Sequence, residues 1–181
     1  MPRHHALIAA LLVAAPSTAG AQTLADALAA CESFTANHAI PDTVDTEFTL
    51  FGDFDYATMD TEFGPVLLTF ALDYGLNSTT YCDLIGADPR DTDGPIWVTW
   101  GQAMPLVKQF LAQREADSGG KVLPSLTGQL MFAACRDDGG YFITAQEGLL
   151  DDRVAGLQPE AHPLLVRINE WSGNAAKPCD F

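Results

Sequence analysis

The chain has 181 residues, and its 24 acidic side chains against nine of Lys and Arg give a formal net charge of −15 at pH 7. This balance argues against nucleic acid and anionic lipid as partners, because both are bound mainly through Lys and Arg. The length is that of about one domain, which can bury a hydrophobic core without help. Such acidity is most simply explained by solubility, and an acidic face for a cationic partner or a divalent ion is the alternative.

The N-terminal residues have the layout of a cleaved export signal. A weakly basic head at Arg3 precedes an uncharged apolar run over 6–15, and Ala19-Gly20-Ala21 supplies small residues for cleavage. The run is too short to cross a bilayer, which takes roughly 20 apolar residues. We therefore predict that 1–21 is a cleaved signal peptide and that 22–181 forms a single domain without a transmembrane segment. The expected location is secreted or periplasmic, and the short, Ala-rich leader is of a bacterial kind.

Four cysteines remain after cleavage, an even number that in an exported protein favours two disulfides. They are Cys31, Cys82, Cys135 and Cys179. No two of them have the close spacing of a redox motif or a zinc site, so crosslinking is favoured over thiol or metal chemistry. Three pairings are possible. We predict Cys31–Cys82 and Cys135–Cys179, each closing a loop of about 50 residues and each stabilising the fold by about 3–4 kcal/mol.

Leu28-Ala29-Ala30-Cys31 resembles the signal that bacteria use to lipidate an N-terminal cysteine. Such a cysteine directly follows the apolar run, whereas this run ends at Ala15. Lipidation would also leave an odd number of cysteines. We therefore favour Cys31 as a crosslinked residue.

The first half of the mature chain predicts a helix and an antiparallel meander. Apolar residues at helical spacing indicate a helix over 23–38, with Thr23 as its cap. Period-two alternation follows, with a bulge at Gly52 and turns at Gly64-Pro65 and 73–77. The three predicted strands are 47–57, 66–72 and 79–85.

The second half predicts another helix and a hairpin. The helix is expected over 102–116, with Pro105 tolerated only within its first turn and Gly119-Gly120 ending it. A turn at Asp137-Asp138-Gly139-Gly140 indicates a hairpin. Its strands are 129–135 and 141–146, and a helix over 126–136 remains an alternative.

The tail over 164–171 fits both a helix and a strand. We prefer a helix, because Gln158-Pro159-Glu160 and Ser172-Gly173 offer a start and a stop. The predicted fold class is therefore α+β: an N-terminal helix, a three-stranded antiparallel meander, a second helix, a hairpin and a C-terminal helix, stapled by two disulfides.

An acidic loop is the strongest candidate for a metal site. Asp88, Asp91 and Asp93 precede Gly94, and calcium takes oxygen ligands from loops of this composition. The EF-hand pattern needs a Glu at the position held by Trp100. We therefore predict a solvated turn, and we assign no metal and no cofactor.

Catalysis by a base would depend on His38 or His162, the two histidines of the mature chain. Either could activate a serine, but none stands in the Gly-x-Ser-x-Gly elbow that exposes a hydrolase nucleophile. The serines considered are Ser33, Ser78 and Ser125. Trp97 and Trp100 could form a stacking platform beside the acidic loop, although burial in the core is favoured for such large rings. We assign no catalytic residues.

These observations favour a non-enzymatic binding, inhibitory or accessory protein whose partner, a protein or a small molecule, is not identified by any motif. The alternative is a small secreted hydrolase with a carboxylate-based or His-based site.

Overall fold

Two helices lie on one face of an eight-stranded antiparallel sheet in the computed structural model, which describes residues 22–44, 46–47, 54–73, 79–123, 128–136, 139–148 and 151–172. The helices are α1 (Leu24–Asn37) and α2 (Trp100–Ser118). The strands are β1 (Thr46–Glu47), β2 (Phe54–Thr61), β3 (Gly64–Asp73), β4 (Thr79–Ile85), β5 (Lys121–Leu123), β6 (Leu130–Arg136), β7 (Gly139–Glu147) and β8 (Leu164–Ser172). Short 3-10 turns occupy Asp151–Val154 and Pro159–Ala161.

The sheet consists of two halves that meet at its centre. Its strand order is β1-β2-β3-β4-β8-β7-β6-β5, so each half is a helix followed by four consecutive strands. β4 and β8 pair antiparallel and join the halves, with Val166 opposite Leu84 on one side and opposite Ala145 of β7 on the other. The second half thus repeats the order of elements of the first half.

Helix α1 forms as its sequence predicts and packs chiefly on β4. The Thr23 hydroxyl accepts from the Asp26 amide while the Asp26 carboxylate accepts from the Thr23 amide, which is a complete capping box. Its inner side carries Phe34, whose ring lies 4.9 Å from that of Phe70, and Cys31, which is disulfide-bonded to Cys82. Cys31 is fully buried in this bond, as expected of a crosslinked residue.

The core lies between the helices and alternate side chains of the central strands. Its large buried members include Val66, Leu68, Phe70, Leu84, Phe132, Ile143, Val166 and Ile168. Among the described residues, neither helix has the length and apolarity to cross a membrane.

The predicted C-terminal helix is wrong, because residues 164–172 form strand β8 at the centre of the sheet. Leu164, Val166 and Ile168 are all fully buried on the helix-covered side. Leu164 and Ile168, together with Leu165 and Trp171, also satisfy helical spacing, so local periodicity does not discriminate between the two structures. These residues form a strand because they pair with β4 on one edge and with β7 on the other. With this change the predicted helix-rich α+β fold becomes a mostly β structure.

Three smaller elements also differ from the prediction. The turn between β2 and β3 falls at 62–63, and Gly64-Pro65 already belongs to β3. Helix α2 begins at Trp100, so Pro105 lies in its second turn. Strand β5 at 121–123 was not predicted, because three residues are too few to show a period.

The remaining strands largely follow the prediction. Strands β3, β4, β6 and β7 coincide with it, and β6 as a strand excludes the helical alternative over 126–136. The single strand predicted over 47–57 is wrong, because Glu47 of β1 pairs antiparallel with Tyr56 of β2, so the two ends of the predicted strand belong to different strands. Residues 48–53 with the predicted bulge at Gly52 lie outside the described residues, as does most of the turn at 73–77.

Of the two predicted disulfides, Cys31–Cys82 is confirmed. Cys135 is also disulfide-bonded, and its predicted partner Cys179 lies outside the described residues, so that pairing stays a prediction. Residues 1–21, the predicted signal peptide, lie outside the described residues as well.

Replacing both Cys31 and Cys82 by Ala should lower the free energy of unfolding by about 4 kcal/mol, because the bond closes a loop of 51 residues in the unfolded chain. Urea denaturation followed by circular dichroism measures the difference, and the native spectrum of the variant serves as the control for folding. A loss below about 1 kcal/mol would show that this crosslink contributes little to the stability of the fold.

Candidate functional site

A cleft with a cavity of about 510 Å³ opens where β6 begins, β7 ends and α2 begins. Its lining combines apolar and polar side chains. They include Trp100, Met104, Gln129, Gln146, Glu147 and Glu160. Its described lining residues include no Lys or Arg, so its charge comes from two carboxylates.

The start of α2 is fastened to the residues that lead into β8. The Trp100 amide donates to the carbonyl of His162 at 2.8 Å, and the Leu164 amide donates to the carbonyl of Val98 at 2.9 Å. Thr99 caps the helix in a reciprocal capping box with Gln102. One wall of the cleft is therefore set by backbone hydrogen bonds.

Two glycines permit the close backbone approaches at this end of the sheet. A Cβ atom at Gly86 would lie 2.0 Å from the carbonyl oxygen of Val98, so only glycine fits there. A Cβ atom at Gly101 would lie 2.8 Å from the carbonyl oxygen of Glu160. The turn at 159–161 thereby rests on the first turn of α2, where the helix dipole favours a carboxylate such as Glu160.

His162 and Glu147 form a pair at the wall of the cleft. His162 Nδ1 lies 2.9 Å from Glu147 Oε2, and His162 is only 9% exposed. The contact has the distance of an ion pair without the alignment of a hydrogen bond, and both ring nitrogens of His162 and Oε2 of Glu147 lack a hydrogen-bond partner. Oε2 of Glu147 is buried against His162, while the side chain as a whole is 33% exposed and lines the cleft.

The lining of the cleft also includes two side-chain amides. Gln129 Nε2 donates to Gln146 Oε1 across the start of the β6–β7 pair. Trp100 is 7% exposed, and Met104 is half-buried beside it. The cleft therefore combines an indole and a thioether with amides and carboxylates, a mixture typical of small-molecule sites.

A second polar cluster joins both helices to β7. The Tyr141 hydroxyl donates to Glu32 Oε1 at 2.8 Å, and Arg114 Nε lies 2.9 Å from the same oxygen. Burial of the phenol raises the pKa of Tyr141, and the nearby Glu32 charge and the hydrogen bond raise it further. Because the charged groups of this cluster contact one another, the cluster acts as a structural link between α1 and α2.

A third ionic contact lies on the face of the sheet away from the helices. Arg167 of β8 holds Asp83 of β4 with two hydrogen bonds, of 2.6 and 2.7 Å, while its guanidinium lies 4.8 Å from the centre of the Tyr81 ring. The hydrogen bond to Asp83 is the main cause that raises the pKa of Arg167. This pair spans the junction of the two halves.

Tyr141→Phe should lower stability near pH 8 by roughly 1–2 kcal/mol, because it removes a hydrogen bond to a carboxylate. Above pH 10 the unfolded chain loses the tyrosine proton while folded Tyr141 keeps it, so the wild type loses stability that the variant does not. The gap between the two proteins should therefore shrink as the pH rises past 10.

Urea denaturation from pH 8 to 11 measures this gap, and Tyr56→Phe is the control for removing a different tyrosine. A gap for Tyr141→Phe that stays constant over this range would contradict the raised pKa.

The acidic loop considered as a calcium site is held by contacts with two arginines. The Asp88 carboxylate accepts from Arg90 Nε and Nη2 at 2.8 and 2.7 Å, and the hydrogen bond from Arg90 is the main cause that lowers the pKa of Asp88. Arg153 Nη1 donates to the carbonyls of Asp88 and Asp91 at 3.1 and 2.7 Å. The Asp88 carboxylate and the carbonyl oxygens of Asp88 and Asp91, which could ligate calcium, therefore already accept hydrogen bonds from guanidinium groups.

Millimolar calcium should accordingly shift the thermal midpoint by no more than about 1–2 °C. Magnesium at the same concentration controls for ionic strength. A calcium-specific rise of many degrees would show that the loop exchanges its arginine contacts for the ion.

The residues singled out from the sequence are dispersed. His38 is exposed at the end of α1 in a left-handed conformation, and Ser33 lies on the same helix. His162 precedes β8, where a helix start was predicted, and Trp100 reaches both the core and the cleft. Ser78 and Ser125 lie outside the described residues. Within the described ranges no cluster of His, Cys, Asp and Glu is suited to hold a metal ion.

Of the cleft residues named above, sequence reasoning considered only Trp100 for binding, and it missed the rest: Met104, Gln129, Gln146, Glu147 and Glu160. Glu147 alone left a signal in the sequence. Tyr141, Ile143 and Ala145 are the inward positions of β7, and Glu147 continues their period of two. A carboxylate that follows an apolar alternation in register is a detectable signal of a polar group at the edge of a core.

Comparison of the chain with protein-family models, with curated proteins and with solved structures found no match.

Proposed function

We propose that this chain is an exported binding or accessory protein without catalytic activity, and that the cleft beside Glu147 holds its small-molecule ligand. Export is supported by the leader-like N-terminus and by the buried Cys31–Cys82 disulfide, a bond that persists in oxidising compartments.

The observation that carries the proposal is the cleft itself. Its cavity of about 510 Å³ lies within the usual range of ligand pockets, roughly 300–1,000 Å³. Its wall includes a nearly buried indole, two amides and two carboxylates, while its described lining residues include no hydroxyl or thiol nucleophile. Such a lining can orient a ligand through its amides and carboxylates.

The His162–Glu147 contact favours one alternative, a hydrolase in which the carboxylate orients the imidazole as a general base. Histidine–carboxylate pairs have this role in nucleophilic hydrolases. A hydrolase of the Ser–His kind would take its nucleophile from outside the described residues, for example Ser125, whereas a carboxylate-based one would use Glu147 or Glu160. A binding protein requires no such group, so we prefer it.

The proposal is tested by native mass spectrometry of the mature protein exposed to small-molecule extracts of its own cell envelope. Met104→Trp should fill the cleft and abolish any bound species. Gln109→Trp places the same bulk on the exposed side of α2 and is the matched control. We expect an added mass with the wild type and the control, and none with Met104→Trp.

Two results would contradict the proposal. One is the absence of any added mass with the wild type, and the other is an added mass that Met104→Trp retains. Turnover of ester, peptide or glycoside substrates that disappears in His162→Ala would favour the hydrolase.

A further inference from the structure

We infer that the cleft selects a small organic cation, an ammonium or guanidinium group attached to a compact apolar body. This inference rests on the proposed binding function and names the chemistry of its ligand.

The charge of the cleft determines the sign of the charge on the ligand. Glu147 and Glu160 line it, and its described lining residues include no basic side chain to offset them. The whole chain adds a long-range field of the same sign, with a net charge of −15. A cation is therefore attracted and an anion is repelled.

Incomplete hydrogen bonding at the wall gives a second reason for a polar ligand. Oε2 of Glu147 lies 2.9 Å from His162 Nδ1 without the alignment of a hydrogen bond, and neither ring nitrogen of His162, one a donor and one an acceptor in the neutral ring, has a hydrogen-bond partner. A buried polar atom left in this state costs about 1–3 kcal/mol, and native proteins commonly complete it with water or a ligand. N–H donors of an ammonium or guanidinium group suit the carboxylate of Glu147, which also lines the cleft.

The apolar side chains of the cleft determine what kind of body the cation should carry. Trp100 and Met104 supply an indole and a thioether beside the carboxylates. An aromatic or short aliphatic body would cover these groups, and Trp is the side chain whose ring attracts cations most strongly. Because a cavity of about 510 Å³ is the size of a small-molecule pocket, we commit to a free amine and not to the side chain of a protein partner.

Three probes of nearly equal size separate the effect of ligand charge from that of ligand size: phenethylammonium, 2-phenylethanol and phenylacetate. Isothermal titration of the mature protein should show the cation binding at least about tenfold more tightly than the alcohol, and phenylacetate should not bind. A blocked Gly-Lys-Gly peptide tests the protein side chain as the source of the cation. We expect it to bind more weakly than phenethylammonium.

Two variants test the carboxylates. Glu147→Gln should weaken phenethylammonium about tenfold, while exposed Glu160→Gln should weaken it less and keeps the test usable if the first variant misfolds. Asp60→Asn removes the same charge from β2 in the other half of the sheet and should leave the affinity within about twofold.

Equal or tighter binding of 2-phenylethanol or phenylacetate, with loss in Met104→Trp, would overturn the cation inference and leave the binding function in place. Preference for the peptide would overturn the small-molecule assignment. Failure of phenethylammonium to bind at millimolar concentration would overturn the inference even if an extract component still occupies the cleft.

Discussion

The pairing of β8 between β4 and β7 is the constraint on which the rest of the structure depends. β4 is crosslinked to α1 through Cys82, and β7 carries Glu147, so the central strand joins one half of the molecule to the other. The residues just before β8 also accept and donate the hydrogen bonds that fix the start of α2. The cleft is therefore a consequence of the central pairing, since β7 with Gln146 and Glu147 pairs with β8 and the start of α2 is hydrogen-bonded to the residues that lead into it.

The chemistry of the cleft follows from where apolar alternation ends. Along β7 the inward residues are apolar as far as Ala145, and the next inward position, Glu147, reaches the edge of the core. Its carboxylate meets His162, which the backbone holds beside the start of α2. Polar groups that are unpartnered at such an edge are tolerated where a ligand or solvent can complete them. This reasoning connects the sheet register to the proposed cationic ligand.

The sequence predicted those elements whose signals are local. The capping box at Thr23, the left-handed stop at Gly119 and the hairpin before Gly139 each depend on a few neighbouring residues, and α1, the end of α2 and the β6–β7 hairpin were placed correctly. The tail was not, because Leu164 and Ile168 fit both periods and only long-range pairing selects one. The cleft was inaccessible for the same reason. Trp100, Glu147 and Glu160 are distant in sequence and are brought together by the strand order.

The most direct test of this account is an NMR measurement of contacts made by Val166 in the mature protein. The account predicts nuclear Overhauser effects from its backbone protons to those of Leu84 on one side and Ala145 on the other, as antiparallel pairing on both edges requires. Contacts from Val166 to residues three and four positions away, without either cross-strand contact, would indicate a helix and would contradict both the sheet and the cleft built on it.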